Sequence, residues 1–167
     1  MDLFMSTYEN KLDRKGRVSV PAPFRLVLDK RRQPLIVTRS LTHACLEGMG
    51  AERMEQILDA MDGMDSLSEE VGILQTLLAS AQELKPDSEG RVVLPEEYIH
   101  HAGLSEKVLF VGIGRSFQLW NSEDYQNRDK AMREKARSEG LPKLVLGRPG
   151  GTRHVPGTGA DRGGHEQ

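Results

Sequence analysis

A mixed, mainly β fold (α+β) of two related halves with additional helices is what this sequence predicts, on three observations. A nine-residue phrase occurs twice, 74 positions apart: Asp13-Arg14-Lys15-Gly16-Arg17-Val18-Ser19-Val20-Pro21 and Asp87-Ser88-Glu89-Gly90-Arg91-Val92-Val93-Leu94-Pro95. Each copy carries turn chemistry and is followed by short apolar runs of strand character. Longer helical patterns lie between the copies and after the second. Five of the nine positions are identical, and at the same offset Glu9 meets Glu83, Lys11 meets Lys85, Phe24 meets Tyr98, Leu35 meets Leu109, Val37 meets Val111 and Leu46 meets Trp120. Such ungapped agreement predicts two copies of one supersecondary unit.

In each copy a short extended segment enters Asp-x-x-Gly-Arg and a second strand leaves it, over residues 17–20 and 91–94. Asp13 and Asp87 are turn formers, because an Asp carboxylate can accept backbone N–H groups of its own turn, and Gly16 and Gly90 can take the positive φ of a tight reversal. Neither Asp has a partner acid, which argues against catalysis by either. Pro21 and Pro95 close the strands and open helices. The second of these begins with Glu96 and Glu97 near its positive end and stops near Gly103; the first spans 21–32, halted by Pro34. Lys30, Arg31 and Arg32 suit that helix's C-terminal dipole better than a DNA contact.

Residues 35–37 and 108–111 read as core strands, followed by strands around 44–46 and 117–120, with Gly112-Ile113-Gly114-Arg115 as a turn. Helical segments follow over 51–61 and from Ser66-Leu67-Ser68-Glu69, a capping box. Leu67, Val71, Leu74 and Leu78 then fall on one face, as core or subunit contact. A final helix over 122–138 ends at Gly140-Leu141-Pro142. The glycine-rich end beyond it cannot bury enough apolar surface to offset ordering entropy. The expected organisation is a first unit (1–50), a helical segment (51–80), a second unit with the final helix (81–139) and a flexible tail (140–167).

At 167 residues and 37% apolar, the chain suits one domain or two closely packed halves. No apolar run nears the length of roughly 18 residues needed to span a membrane, and the start lacks the basic-then-apolar pattern of a leader, so a cytosolic location is expected. The single cysteine, Cys45, cannot form an internal disulfide and reads as a small buried apolar residue. The net charge of −2 hides a division: Lys and Arg outnumber Asp and Glu by nine to four over residues 1–45 and ten to seven over 111–167, but trail by four to fourteen over 46–110. A polyanion would meet the N-terminal third and avoid the middle.

The phrase Asp-x-Lys-Gly-Arg-Val-x-Val-Pro, repeated in weaker form midway, resembles the MraZ family over residues 1 to about 139. Supporting positions are residues 8–12, Leu35-Ile36-Val37-Thr38-Arg39, Val111-Gly112-Ile113-Gly114 and Leu119-Trp120. The resemblance implies two AbrB/MazE-like swapped-hairpin halves that interlock into a shared barrel. It also implies a sequence-specific DNA-binding transcriptional regulator, a repressor of its own division and cell-wall gene cluster. Such a protein is cytoplasmic and nucleoid-associated, and engages repeated upstream double-stranded DNA sites as a ring homo-oligomer. No cofactor, metal or membrane partner is expected. Two departures stand out: the tail outruns the likeness, and Ser88 and Glu89 replace Arg14 and Lys15, so the halves are not expected to read DNA equally.

The expected DNA-binding residues are Arg14, Lys15, Gly16, Arg17 and Arg91. Three cations flank the first turn, on a hairpin slim enough for a major groove. Arg17 is the preferred base reader, since a guanidinium can bond a guanine edge twice; the alternative is that it pairs with Asp13 inside the turn. Arg14 and Lys15 are assigned to phosphate, and Gly16 to close backbone approach. Arg91 has lost its basic neighbours, leaving structural and DNA roles both open. A single such hairpin binds weakly, whereas identical hairpins on one ring gain avidity on repeated sites.

An enzyme is the rival from another class. Gly112-Ile113-Gly114-Arg115 lacks the third glycine of a nucleotide loop, and His43, His100, His101, His154 and His165 have no metal-ligand spacing. A partner-binding antitoxin-like module is the closer rival, since AbrB/MazE-type units also serve there. Two units and a structured middle favour the regulator; the glycine-rich end favours the module.

Overall fold

The repeated turns reverse the chain as their residues predict, but the strands on either side of each turn go to different sheets. A computed structural model of the chain describes residues 2–147; Met1 and residues 148–167 lie outside it, with His154, His165 and most of the expected tail. In chain order the elements are β1 (Thr7–Lys11), β2 (Arg17–Ser19), α1 (Ala22–Lys30), β3 (Leu35–Arg39), β4 (Leu46–Gly50), α2 (Ala51–Asp62), α3 (Glu69–Ala79), β5 (Gln82–Leu84), β6 (Arg91–Val93), α4 (Glu96–His101), β7 (Lys107–Gly112), β8 (Phe117–Trp120) and α5 (Ser122–Glu139). The fold is α+β and mainly a six-stranded antiparallel sheet, ordered β1-β7-β8-β4-β3-β5, with a separate ribbon of β2 and β6. Beside the first turn, β1 and β2 form no ladder among the described residues; the bridge Leu12–Val18, the bond from Asp13 N to Arg17 O and that from Asn10 Nδ2 to Ser19 O at 2.7 Å link them.

The strand order reads the same from either end once equivalent strands of the two halves are exchanged. β1 lies on β7 and β5 on β3, so each half's first strand borders the other half's third. The ribbon is likewise shared: Arg17 pairs with Val93, Val18 with Val92 and Ser19 with Arg91. No pairing joins β1 to β5 among the described residues, so the sheet stays open and the implied shared barrel is not closed. Edge strands of three and five polar-rich residues leave little ladder with which to close it.

The register corrects the ungapped repeat. Glu9 pairs with Leu109 while its counterpart Glu83 pairs with Ile36, so Ile36 corresponds to Leu109, and through the β3–β4 and β7–β8 pairings Leu46 corresponds to Phe117, not to Trp120. Val37 pairs with Gly48 and Phe110 with Leu119, so Val37 corresponds to Phe110 and, one step earlier in phase, Leu35 to Val108. The matches Leu35–Leu109, Val37–Val111 and Leu46–Trp120 are therefore coincidences of apolar composition. A slip of even one residue turns a strand's side chains to the opposite face, and burial, not identity, fixes the phase.

Between ribbon and sheet lies the core. Val18 and Val92 point inward, and with Val20 and Leu94 they meet Phe24 and Leu28 of α1, Tyr98 of α4 and Ala102 just after it, and the facing side chains of β3, β4, β7 and β8. Phe24 stands at the centre, with ring centroids of Phe117, Phe4 and Tyr8 at 4.9, 5.3 and 5.5 Å. Its counterpart Tyr98 is fully buried and its hydroxyl reaches the carbonyls of Val37 and Ser80 with one proton to share. Burial pushes that phenol up to about 12.

On the opposite sheet face Cys45, Val111 and Trp120 form a smaller cluster with Leu109 and Tyr125. Cys45 is buried, its thiol pushed up to about 12 by loss of solvent. β4 begins at Leu46 rather than near Ala44 and runs on through Gly48-Met49-Gly50; position 48 requires glycine because the Phe117 ring occupies the space a side chain would take. α3 is capped by Ser68, whose Oγ accepts from Val71 N at 3.3 Å, in place of the Ser66 box. Its buried residues are Val71 and Leu77, while Leu67 precedes the helix and is exposed.

Candidate nucleic-acid interface

At the first turn one carboxylate organises everything. Asp13 Oδ1 accepts the backbone N–H groups of Lys15 and Arg17, both at 2.9 Å, and Oδ2 accepts Arg17 Nε at 2.7 Å. These bonds, that of the Arg17 backbone first, hold the Asp13 carboxyl below its ordinary value of 3.8. The second turn repeats the plan: Asp87 Oδ1 accepts from Glu89 N at 2.9 Å and Arg91 N at 3.0 Å, and Oδ2 from Arg91 Nε at 3.0 Å. Gly16 and Gly90 have φ of +79° and +78°.

Of the two alternatives for Arg17, the structure contains the pairing with Asp13. Its Nε is committed to Asp13, which fixes the plane of the guanidinium, while the two terminal nitrogens make no hydrogen bond among the described residues. Any base contact from it uses that outer pair. Arg14 and Lys15 are exposed and form no ion pair among the described residues. At the second turn Arg91 is held by Asp87 and by Glu89, whose Oε2 lies 3.3 Å from Nη2, so its guanidinium is more nearly neutralised.

Directly paired residues of an antiparallel ribbon share a face. Arg17, Ser19, Arg91 and Val93 therefore point away from the core that Val18 and Val92 fill. Arg17 and Arg91 are diagonal neighbours on that face, which places their Cα atoms about 7–8 Å apart. The ribbon brings together two arginines that the sequence separates by 74 positions.

Gly16 faces inward. It is buried, its carbonyl accepts Leu94 N at 2.8 Å, and an added Cβ would stand 2.9 Å from Leu94 O. Its room serves packing between the halves. Gly90 mirrors it, with its carbonyl accepting Val20 N at 3.0 Å, but the space over Gly90 is filled by the guanidinium of Arg25, whose Nε donates to Val20 O at 3.1 Å. Arg25 was not among the expected residues. Its signal was legible: the repeat sets it opposite Ile99, which covers Gly16. Lys30 and Arg31 pair with Asp2 at 3.2 and 3.0 Å, and Arg31 also with Glu52 at 2.9 Å, which ties them into the body of the protein.

A family model described as "MraZ protein, putative antitoxin-like" matches residues 3–71 and 77–142, one segment over each half. The chain belongs to the MraZ family. Relatives named Transcriptional regulator MraZ include those of Gluconobacter oxydans, 40% identical over 83% of this chain and 87% of the relative, and Rhodospirillum rubrum, 43% identical over 72% and 81%. A third, from Rickettsia canadensis, is 37% identical over 75% and 86%. The MraZ match thus includes both turns and the ribbon between them. No helix among the described residues is long and apolar enough to cross a membrane.

Proposed function

We propose that this member of the MraZ family is a sequence-specific DNA-binding transcriptional regulator, a nucleoid-associated repressor of its own division and cell-wall gene cluster. Its two AbrB/MazE-like units, residues 1–50 and 81–139, interlock through the exchanged strands, and a ring of copies presents first turns to repeated upstream sites. The observation that carries this reading is the first turn: three cations on a loop fixed by one carboxylate, with Arg14, Lys15 and the outer edge of Arg17 turned to solvent. Relatives named as transcriptional regulators support it.

Arg17 reads a guanine edge with its two terminal nitrogens, a contact worth about 1–3 kcal/mol of discrimination. Arg14 and Lys15 neutralise phosphates, Gly16 keeps the loop seated on Leu94, and Arg91 contributes a weaker contact from the same ribbon face. The test compares Arg17→Ala with Arg91→Ala on the chain's own upstream DNA at two salt concentrations. Severe loss is expected for Arg17→Ala and milder loss for Arg91→Ala; equal and negligible effects would defeat the assignment. The rival partner-binding module keeps one point in its favour, the antitoxin-like wording of the family description. Deleting residues 147–167 separates the two, since a module would lose partner capture while DNA binding stayed intact.

A further inference from the structure

We propose that Val93 meets the C5-methyl group of a thymine beside the guanine read by Arg17, so that the ribbon recognises a two-base step and not a single base. The contact extends the DNA reading above and rests on it. Val93 is 57% exposed, and among the described residues it is the one exposed large apolar side chain that lies within a strand. Apolar residues scattered singly over a surface are ordinary. The place of this one is not. Arg17, Val93, Ser19 and Arg91 make up the outer face of the ribbon, and Val93 stands directly opposite Arg17.

The register makes these two residues close neighbours. Leu94 N donates to Gly16 O at 2.8 Å and Val20 N to Gly90 O at 3.0 Å, so the alternating bonds of the ladder leave Arg17 and Val93 as a non-hydrogen-bonded pair. Such pairs are the closer kind, with Cα atoms about 4.5 Å apart. Successive base pairs lie about 3.4 Å apart along a duplex, so side chains at this spacing face adjacent base pairs when a two-stranded ribbon occupies the major groove. Arg17 does not stand clear of its neighbour. Its Nε is tied to the carboxylate that also accepts its own backbone N–H, which folds the side chain back towards the turn. A guanidinium held that low reaches a base edge only if the ribbon lies close to it, within range of a short side chain.

The pseudo-symmetry of the ribbon supplies a control. Ser19 is the counterpart of Val93 in the repeat, and it lies opposite Arg91 as Val93 lies opposite Arg17. A serine therefore satisfies the backbone at this position, and the ribbon does not demand a valine. The chemistry of valine names the base. Thymine presents a methyl group on its major-groove edge, whereas cytosine and adenine present amino groups that valine would leave without a partner. Arg17 with Val93 thus suits guanine beside thymine, while Arg91 with Ser19 accepts any neighbour, because a hydroxyl both donates and accepts.

The experiment measures the affinity of the full chain for its upstream DNA with one thymine position at a time replaced by deoxyuridine, which removes the methyl and keeps every hydrogen-bonding group. For the parent chain, replacement at one thymine beside an essential guanine should weaken binding about fourfold per repeat, the factor for burial of one methyl-sized group. Val93→Ser should weaken binding to the thymine DNA by a similar factor and show no further loss with deoxyuridine there, because the two changes remove the two sides of one contact. The ratio of the two affinities is taken on one preparation, so a partly unfolded variant cannot imitate the result. A Val93→Ser chain that keeps the parent's ratio overturns the contact, and so does a parent that tolerates deoxyuridine beside every essential guanine; both outcomes leave the DNA reading standing. A parent that does not distinguish its upstream DNA from unrelated DNA removes that reading, and the contact with it.

Discussion

At the first turn Asp13 holds Lys15 and Arg17 with bonds of 2.7–2.9 Å, and at the second Asp87 holds Glu89 and Arg91 with bonds of 2.9–3.0 Å. The backbones agree in φ at the glycine to within a degree. Yet the first turn displays Arg14 and Lys15, and the second Ser88 and Glu89. The two turns share the shape that supports the common ribbon and differ in the charge they display. The comparison separates what the fold needs from what a polyanion needs, because the second turn is a built-in control for the first.

Exchanging the charges breaks the comparison most directly. Arg14→Ser with Lys15→Glu turns the first loop into a copy of the second, and should weaken binding to upstream and unrelated DNA alike while leaving the discrimination attributed to Arg17 in place. Each lost phosphate contact should also lower the slope of log affinity against log salt by about 0.9. The reciprocal pair, Ser88→Arg with Glu89→Lys, is expected to tighten binding, most at low salt. Unchanged affinity in the reciprocal variant would mean that the second turn does not approach the phosphates at all.

The two glycines sharpen it next. Either Gly→Ala change places a side chain at positive φ, at a cost of roughly 1–2 kcal/mol. At Gly16 the new methyl also meets the Leu94 carbonyl oxygen, which is backbone and held by its neighbours. At Gly90 it meets the end of the Arg25 side chain, which can swing away. Gly16→Ala should therefore lower the denaturant midpoint more than Gly90→Ala, with the slope unchanged in both. A smaller separation is expected at the other symmetric pair, Phe24 and Tyr98. Tyr98→Phe removes the donor shared by the Val37 and Ser80 carbonyls and should cost about 1 kcal/mol by the same assay.

The turns were legible because their chemistry is local: an Asp, two intervening residues, a Gly and an Arg contain every bond that folds them. The exchange of strands was not, since nothing near residues 7–11 names residues 107–111 as their partner. The slip between the two copies escaped for a related reason. Leu and Val recur so often in core strands that Leu35 and Val37 find matches in the wrong phase, and it takes the strand pairings, Glu9 with Leu109 against Glu83 with Ile36, to reveal it. Ser66 and Ser68 are equally good caps on paper; Asp65, whose Oδ1 takes Leu67 N at 3.0 Å, pulls Ser66 into the preceding turn and leaves the cap to Ser68. At the interface the sequence offered pairing or base reading for Arg17 as alternatives. The structure contains the pairing, and because only Nε is used in it the two terminal nitrogens are left over, so pairing and the proposed base contact are compatible.

The smallest effect concerns acid. Asp13 and Asp87 are both held below the ordinary aspartate value of 3.8, chiefly by backbone N–H groups of Arg17 and Arg91 respectively. A depressed carboxyl binds its proton less readily in the folded chain than in the unfolded one. The stability it supplies is present above the ordinary value and is lost as the pH falls through the lowered one. Both carboxylates are open to solvent, which keeps the effect small, and the two turns should share it because the bonds responsible are backbone bonds common to both. Melting temperatures between pH 7 and the acid side of the aspartate range should therefore fall less steeply in Asp13→Asn and in Asp87→Asn than in the parent, and by similar amounts. A parent-like slope in one variant alone would show that the charges at residues 14 and 15, rather than the shared geometry, set that turn's response to acid.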